Sequence, residues 1–489
     1  MKSLKKTFFG IAAGVLSAAL MLTGCGGGDG AGTSGKGNDK DLVWYMIGTA
    51  PTDLDMVMEE VSKITREKIG VGVKMYQVAN ADYARKIQTM LNSGEEFDLC
   101  FINQAQLDNM RKGNFVELSD LLKNQGKDMA ETIPENVFDL ARIDGKLYGI
   151  PTYKEVAWQN TWMVNVPIAE KYGIDYKNEI TTLEEIEPIL EKVKEGEGSG
   201  FLPLMPYSAG MIGVIPYEFV GDTIFGTQLN FDNPEDVDHK IVNVYETEAA
   251  KNHLETMRRY YEKGYLPQDV TGNSDAEKKG SWFLNLNSYQ PEYEVADSVS
   301  KGYQIDVVYR HKPVMTNTIG AMNGIPVSCK RPEKVMEFLN LVNTDKQIRN
   351  MIGYGIEGVH YNLNEEGKRV LTQQGKDNYG SMPQYALGNL FLNDLAETDR
   401  DGKWERFEEY NASAIESPLK GFFFDSKPVK SEIAAMENVV SQYKKDLLFG
   451  RVDPDVVLPE FLQKLKDVGS EKVQAEMQKQ YDEFLASKK

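Results

Sequence analysis

From residue 41 onward the chain alternates short apolar runs with stretches whose apolar residues recur every three or four positions. Leu42-Val43-Trp44-Tyr45-Met46-Ile47 is a continuous apolar run of strand length. Gly48-Thr49-Ala50-Pro51-Thr52-Asp53 breaks it, and Asp53 opens a helix whose Leu54, Val57, Met58, Val61 and Ile64 share one face. A second strand is predicted over 71–76, a helix over 83–91 and a third strand over 97–102. This β-α-β-α-β order predicts an α/β fold with a mainly parallel sheet flanked by helices. The same grammar returns later, with strands at 157–164 and 305–309 and helices at 183–193, 249–263, 334–341 and 346–352. The tail is read as helical over 432–449 and 459–485, with one polar face. Two α/β lobes of this kind bind ligands at the carboxyl ends of their strands. A cleft between two such ends closes by hinge motion when the ligand favours the closed state.

The first 25 residues have a different pattern. Residues 1–6 are basic, 7–21 are apolar, and Leu22-Thr23-Gly24-Cys25 follows. A basic start, a short apolar stretch and a small-residue cleavage site define a secretory signal. The last four residues resemble the bacterial lipoprotein signal, which implies lipidation of Cys25 and a membrane partner through the acyl chains. Residues 26–40 are Gly-rich and read as a tether. Within them Gly30-Ala31-Gly32-Thr33-Ser34-Gly35 fits G-x-G-x-x-G. It lacks the strand before and the helix after that a dinucleotide site requires. After residue 25 no apolar run is long enough to span a bilayer.

A chain of 489 residues exceeds one compact core and predicts more than one domain. The net charge of −19 repels nucleic acid, so no nucleic-acid partner is expected. Three cysteines make no disulfide framework; Cys100 and Cys329 are read as small buried fillers.

Stretches along most of residues 42–485 resemble the extracellular solute-binding lipoproteins of ABC importers, of the sugar-binding, maltose-binding-protein-like type. The match is to a subfamily with an extra C-terminal region of unassigned function. They include WYMIGT at 44–49, SGEEFDLCF at 93–101, DGKLYGIPTYKE at 144–155 and residues 317–325. PEKVMEFLNLVNTD at 332–345, YGIEGVHY at 354–361, GFFFD at 421–425 and GRVDPD at 450–455 complete the series. The resemblance implies a two-lobed type II periplasmic-binding-protein fold, each lobe a mainly parallel sheet joined to the other by hinge strands. Residues 158–165 would cross to the second lobe, and a run from about 305 to 325 would cross back. Residues 1–24 are then the signal peptide and 25–40 the tether. Lobe one takes 41–156 and 305–345, and lobe two takes 157–304 and 346–489. The same resemblance implies a monomer outside the cell that hands a small solute to the transmembrane subunits of a permease, with an ATPase beneath. A carbohydrate is the leading solute. A peptide or other small solute in the same role, and a cell-surface carbohydrate-active enzyme, are the alternatives.

A sugar offers apolar ring faces and a rim of hydroxyls, so its site needs aromatic platforms edged by polar groups. Candidate platforms are Trp158, Trp162, Trp282, Tyr289 and Tyr354; Trp44, inside the first strand, is read as core. Candidate polar groups are Asn103, Gln104, Lys154, Glu155, Asn285, Asn317 and Glu357. Gly48 and Thr49 follow the first strand, where backbone could approach a ligand. Several relatives have an aromatic residue near Ala105, which leaves the ligand class open. Glu357 and His360 lie in a Gly-rich turn that either could simply fix. Residues 397–408 place acidic groups at positions 1, 3, 5, 9 and 12 and Gly at 6, near EF-hand spacing. Glu397 stands where Asp is expected, and an acidic turn capping the following helix is the competing reading. The four histidines are not at metal spacing, and no nucleophile motif stands out. No cofactor and no catalytic residue are assigned.

Overall fold

Alternate side chains of the run at 42–47 turn inward, with Leu42, Trp44 and Met46 buried and their neighbours half-buried. The computed structural model describes residues 40–205, 215–268, 276–277, 279–316 and 320–488. Cys25, the glycines of 30–35 and Asn317 lie outside the described residues. Strand Leu42–Ile47 pairs in parallel with Val73–Val78 and with Leu99–Ile102. Between the first two, helix Leu54–Ile69 buries Val57, Met58 and Val61 and ends at Gly70, whose φ of 77° is the left-handed turn that favours glycine. Strand Met322–Gly324 adds antiparallel to Leu99–Ile102, and Ile150–Pro151 adds beyond it. The register sets Ile47 opposite Val78, Ile102 opposite Met322, and Met322 opposite Pro151. Gly48, Asn103, Thr152 and Ala321 therefore emerge along one edge of this first sheet.

The second sheet is built around Ala157–Asn165. That strand pairs antiparallel with Trp282–Tyr289, Ile305–Tyr309 and Val314–Met315. Leu202–Met205 and Ile415–Glu416 join it in parallel at the two margins. The sheet is thus mixed, with an antiparallel centre, where a mainly parallel one was expected. The whole remains a two-lobed α/β fold of type II.

The chain crosses between the sheets three times, the third time over 392–414, and the first two crossings run next to each other. The first is residues 152–156, from Pro151 to Ala157; the second is the return between Met315 and Met322. The Thr152 N–H donates to the Ala321 carbonyl at 3.0 Å, and Met315 is paired with Ala157. The expected crossing at 158–165 is corrected, because those residues form the second sheet itself. Strand Ile305–Tyr309 also belongs there, not to lobe one, since Ile305 and Val307 pack with Met163 and Trp282. The assignment of everything after 346 to lobe two changes as well. Ile348, Ile352, Tyr379, Met382, Ala386 and Leu387 join the core of the first sheet. Helices Pro332–Thr344 and Lys346–Tyr354 are consecutive amphipathic elements, and both turn their apolar faces to that core.

The C-terminal helices Lys430–Leu448, Pro454–Asp467 and Ser470–Ser487 bury Met436, Leu447, Phe461, Leu465, Met477 and Tyr481. They cover helix Glu248–Glu262 and the small sheet that contains Tyr217–Phe219 and Phe225–Gln228. The expected single helix over 459–485 breaks at Gly469, where φ is 97°. Cys100 and Cys329 are buried and unbridged. Burial pushes the Cys329 thiol up to about 12, and its Sγ lies 3.3 Å from Asp98 Oδ1.

Candidate functional site

The first two connections between the sheets border a cleft of about 550 Å³. Thr152, Lys154 and Glu155 line it from the outgoing crossing, Trp158 from the start of the strand that follows, and Thr316, Gly320 and Ala321 from the return. Asn287, Tyr289, Gln290 and Tyr293 come from the end of strand Trp282–Tyr289 and the turn beyond it. Tyr385, from the first lobe, completes the wall. The size lies within the ~300–1,000 Å³ of small-molecule sites.

Aromatic rings are held around this space by their neighbours. Trp158 meets His311 edge-on with ring centres 5.3 Å apart. Tyr289 meets Tyr309 edge-on at 5.3 Å, and its hydroxyl donates to Glu294 Oε2 at 3.2 Å. The Tyr293 hydroxyl accepts from Asn287 Nδ2 at 3.4 Å. Tyr385 is 44% exposed and meets Phe101 edge-on at 6.2 Å. Its neighbour Gln384 is fixed by the buried Arg349, which donates to the Gln384 side chain at 3.1 Å and to its carbonyl at 3.2 Å. Burial raises the phenols of Tyr289, Tyr293 and Tyr385, so all three present neutral hydroxyls. At the rim Lys154 and Glu155 form an ion pair.

The structure brings Lys154, Glu155, Trp158 and Tyr289 together here. Other predicted residues lie elsewhere. Trp162 is 0% exposed and donates its indole N–H to the Thr181 carbonyl at 3.1 Å. Trp282 is 1% exposed and donates to the Tyr303 hydroxyl at 2.7 Å. Both are core, not platforms. Asn285 comes two residues before Asn287 on its strand and does not line the cleft. Tyr354 lies beneath the Arg369 guanidinium, 3.3 Å from its ring centre, and its hydroxyl accepts from Asn393. Glu357 is exposed on a turn. His360 is buried; its Nδ1 accepts the Ile356 N–H at 3.0 Å, so Nε2 carries the proton toward Asp53 at 3.3 Å. That histidine fixes its turn, one of the two readings considered. Gly48, Thr49, Asn103 and Gln104 stand on the edge of the first sheet but do not line the 550 Å³ cleft. Asn103 caps its own turn through the Ala105 N–H at 3.0 Å. Gln104 reaches across to the second lobe, where a Cβ on Gly221 would sit 3.2 Å from its Nε2.

In the EF-hand-like loop, Asp399 pairs with Lys403 at 2.9 Å and Asp401 with Lys368 at 2.8 Å. Arg400 and Arg406 turn to Glu292. Burial opposes ionisation of Glu292, but these two guanidinium groups hold its carboxyl below the usual range. Among the described residues no three His, Cys, Asp or Glu side chains gather as metal ligands.

A family model described as bacterial extracellular solute-binding protein matches residues 60–359. The chain belongs to this family. A second model, a domain of unknown function (DUF3502), matches 418–486, the region of the three C-terminal helices. The solute-binding protein is 32% identical, over 501 residues and the full length of both chains, to a carbohydrate ABC transporter substrate-binding protein of Streptococcus pneumoniae serotype 4. It is also similar to the crystal structure of the N-glycan transport solute-binding protein NgtS from Streptococcus pneumoniae. That match has a TM-score of 0.83 and 31% identity, and covers 92% of this chain and 100% of that one. The NgtS complexes with Man1GlcNAc and Man5GlcNAc cover the same shares, at TM-scores of 0.73 and 0.70 and 30% and 31% identity.

Asn287, Gln290, Tyr293, Thr316 and Tyr385 escaped sequence reasoning. The alternation Leu284-Asn285-Leu286-Asn287 is a period-two strand signal and would have placed Asn287 one step from Tyr289. Tyr385 carries no local signal, because its place opposite the crossing is set by packing alone.

Proposed function

We propose that this solute-binding protein is the carbohydrate receptor of an ABC importer, held by a lipid on Cys25 at the outer face of the cell membrane. Its ligands are oligosaccharides containing mannose and N-acetylglucosamine, and it releases them unaltered to the permease. The observation that carries this reading is the interlobe cleft itself: Trp158, Tyr289, Tyr293 and Tyr385 offer ring faces, and Asn287, Gln290, Lys154 and Glu155 offer the hydroxyl-binding edge. Among the lining residues Glu155 is the one carboxylate, and it is paired with Lys154. Hydrolysis by the usual route needs two carboxylates flanking the bond.

Hinge closure is part of the proposal. The three NgtS structures match this chain at TM-scores of 0.83, 0.73 and 0.70, and the two lower scores belong to the glycan complexes. Lobe one is taken as 40–151 with 322–391, and lobe two as 157–315 with 415–488, turning about the three crossings.

Thermal-shift and calorimetric titration of the mature protein with mannose–N-acetylglucosamine oligosaccharides, plant-polysaccharide fragments and peptides tests the function. Glycan at 100 times its dissociation constant stabilises by about 2.7 kcal/mol. Stabilisation by peptides alone, or products detected after incubation, would overturn the proposal. Palmitate labelling that persists in Cys25→Ala would overturn the anchor.

A further inference from the structure

We propose that Asn411 is the positioning residue of the cleft, holding the outgoing crossing so that Lys154 and Glu155 face the ligand. The backbone of 152–156 belongs to neither sheet, so its polar groups need partners from outside the ladders. Asn411 supplies two at once. Its Nδ2 donates to the Lys154 carbonyl at 2.9 Å, and its Oδ1 accepts the Val156 N–H at 2.9 Å. One amide edge thus does for residues 154 and 156 what a neighbouring strand would do, and residue 155 is fixed between them. A carboxamide is suited to this because donor and acceptor lie side by side on a rigid plane.

The helix that carries Asn411, Lys403–Ser413, is itself braced on both lobes. On the first, Trp404 and Phe407 both meet Phe391, which stacks on Tyr153 at 4.3 Å. On the second, Arg406 reaches Glu292. The Tyr410 hydroxyl lies 3.4 Å from the carbonyls of Ala157 and Tyr289. Asn411 therefore holds the crossing from a support that touches both walls of the cleft.

The inference rests on the glycan-receptor reading. It is tested with Asn411→Ala and Asn411→Asp in the mature protein, by titration with Man5GlcNAc between pH 5 and 8 and by exchange of the Val156 amide hydrogen. Asn411→Ala is expected to weaken binding about ten-fold and to speed Val156 exchange, with the fold intact. Asn411→Asp is the sharper variant. At pH 8 its carboxylate accepts from Val156 but faces the Lys154 carbonyl, so binding is weak. The facing carbonyl favours the protonated carboxyl and raises its pKa above that of an ordinary aspartate, so as pH falls to 5 the group regains a donor and affinity recovers toward wild type. The charged and titratable groups facing the site are Lys154, Glu155, Glu408, Tyr410 and Tyr289. Wild type and Glu155→Gln, followed over the same pH range, separate their titration from that of the variant. A purely structural role would lower stability without producing this pH-dependent recovery. Wild-type affinity in Asn411→Asp at pH 8, or unchanged Val156 exchange in Asn411→Ala, overturns the inference. Failure of wild type to bind any glycan overturns the receptor reading instead, and the Val156 exchange then decides the inference by itself.

Discussion

Trp158 and Trp162 lie four residues apart on one strand and point to the same face, yet they have opposite fates. Four residues of strand span about 13 Å. Trp158 stands at the mouth of the cleft, while Trp162 is carried into the core and spends its N–H on the Thr181 carbonyl. The two predict opposite mutant behaviour. Trp158→Ala should leave urea unfolding within about 1 kcal/mol of wild type and weaken glycan binding about ten-fold, through loss of a ring platform. Trp162→Ala, which removes a fully buried side chain, should cost about 3–5 kcal/mol of stability. Trp158→Ala with wild-type affinity would remove that ring from the site. The same geometry explains what the sequence could show of the site. Lys154, Glu155 and Trp158 were legible because they cluster around one crossing. Trp162, Trp282 and Asn285 were misassigned because residue type does not reveal depth along a strand. Arg349 was missed because its action, fixing Gln384 beside Tyr385, exists only in the packed fold.

Among the elements, the first sheet was legible because its strands are continuous apolar runs separated by a helix with clean periodicity. The second was less so, because its strands neighbour one another across long insertions and pair antiparallel at the centre. The short strand Tyr217–Phe219 carries a consequence for stability. Glu218 takes a hydrogen bond from the Ser417 hydroxyl, just after strand Ile415–Glu416. Burial lifts its carboxyl from the ordinary 4.5 to about 8. Between those values the folded protein holds a proton that the unfolded chain has released, so stability falls as pH rises from about 4.5 to about 8. Glu218→Gln keeps a neutral group there and should remove that slope. Urea unfolding at pH 5, 7 and 9 checks it: the variant gains on wild type as pH increases. Parallel curves for the two proteins would mean that Glu218 ionises normally.

At the scale of the whole molecule, the C-terminal region touches both lobes. Phe422 and Phe424 pack in the core of the C-terminal helices, while Phe423 between them packs against the core of the first sheet. Arg111, from the first lobe, grips the same strip. It donates to the Phe423 carbonyl at 2.7 Å and the Phe424 carbonyl at 3.4 Å while paired with Asp144 at 3.1 Å. A rotation about the three crossings moves the first lobe against this strip, so the grip belongs to the arrangement of lobes seen here. Among the three NgtS structures, that arrangement matches the two glycan complexes less well, at TM-scores of 0.73 and 0.70 against 0.83. A contact made in one state and lost in the other biases the equilibrium toward the first, and a ligand that selects the second must overcome it. Arg111→Ala should therefore lower the stability of the ligand-free protein by about 1.5–3 kcal/mol, the range for a charge-assisted hydrogen bond. It should also tighten glycan binding, by up to about ten-fold for each 1.4 kcal/mol removed from the open form alone. Small-angle scattering of the ligand-free variant should show a more compact particle than wild type. Titration calorimetry with Man5GlcNAc decides the matter: a loss of affinity in Arg111→Ala would mean that the grip persists in, and supports, the closed state.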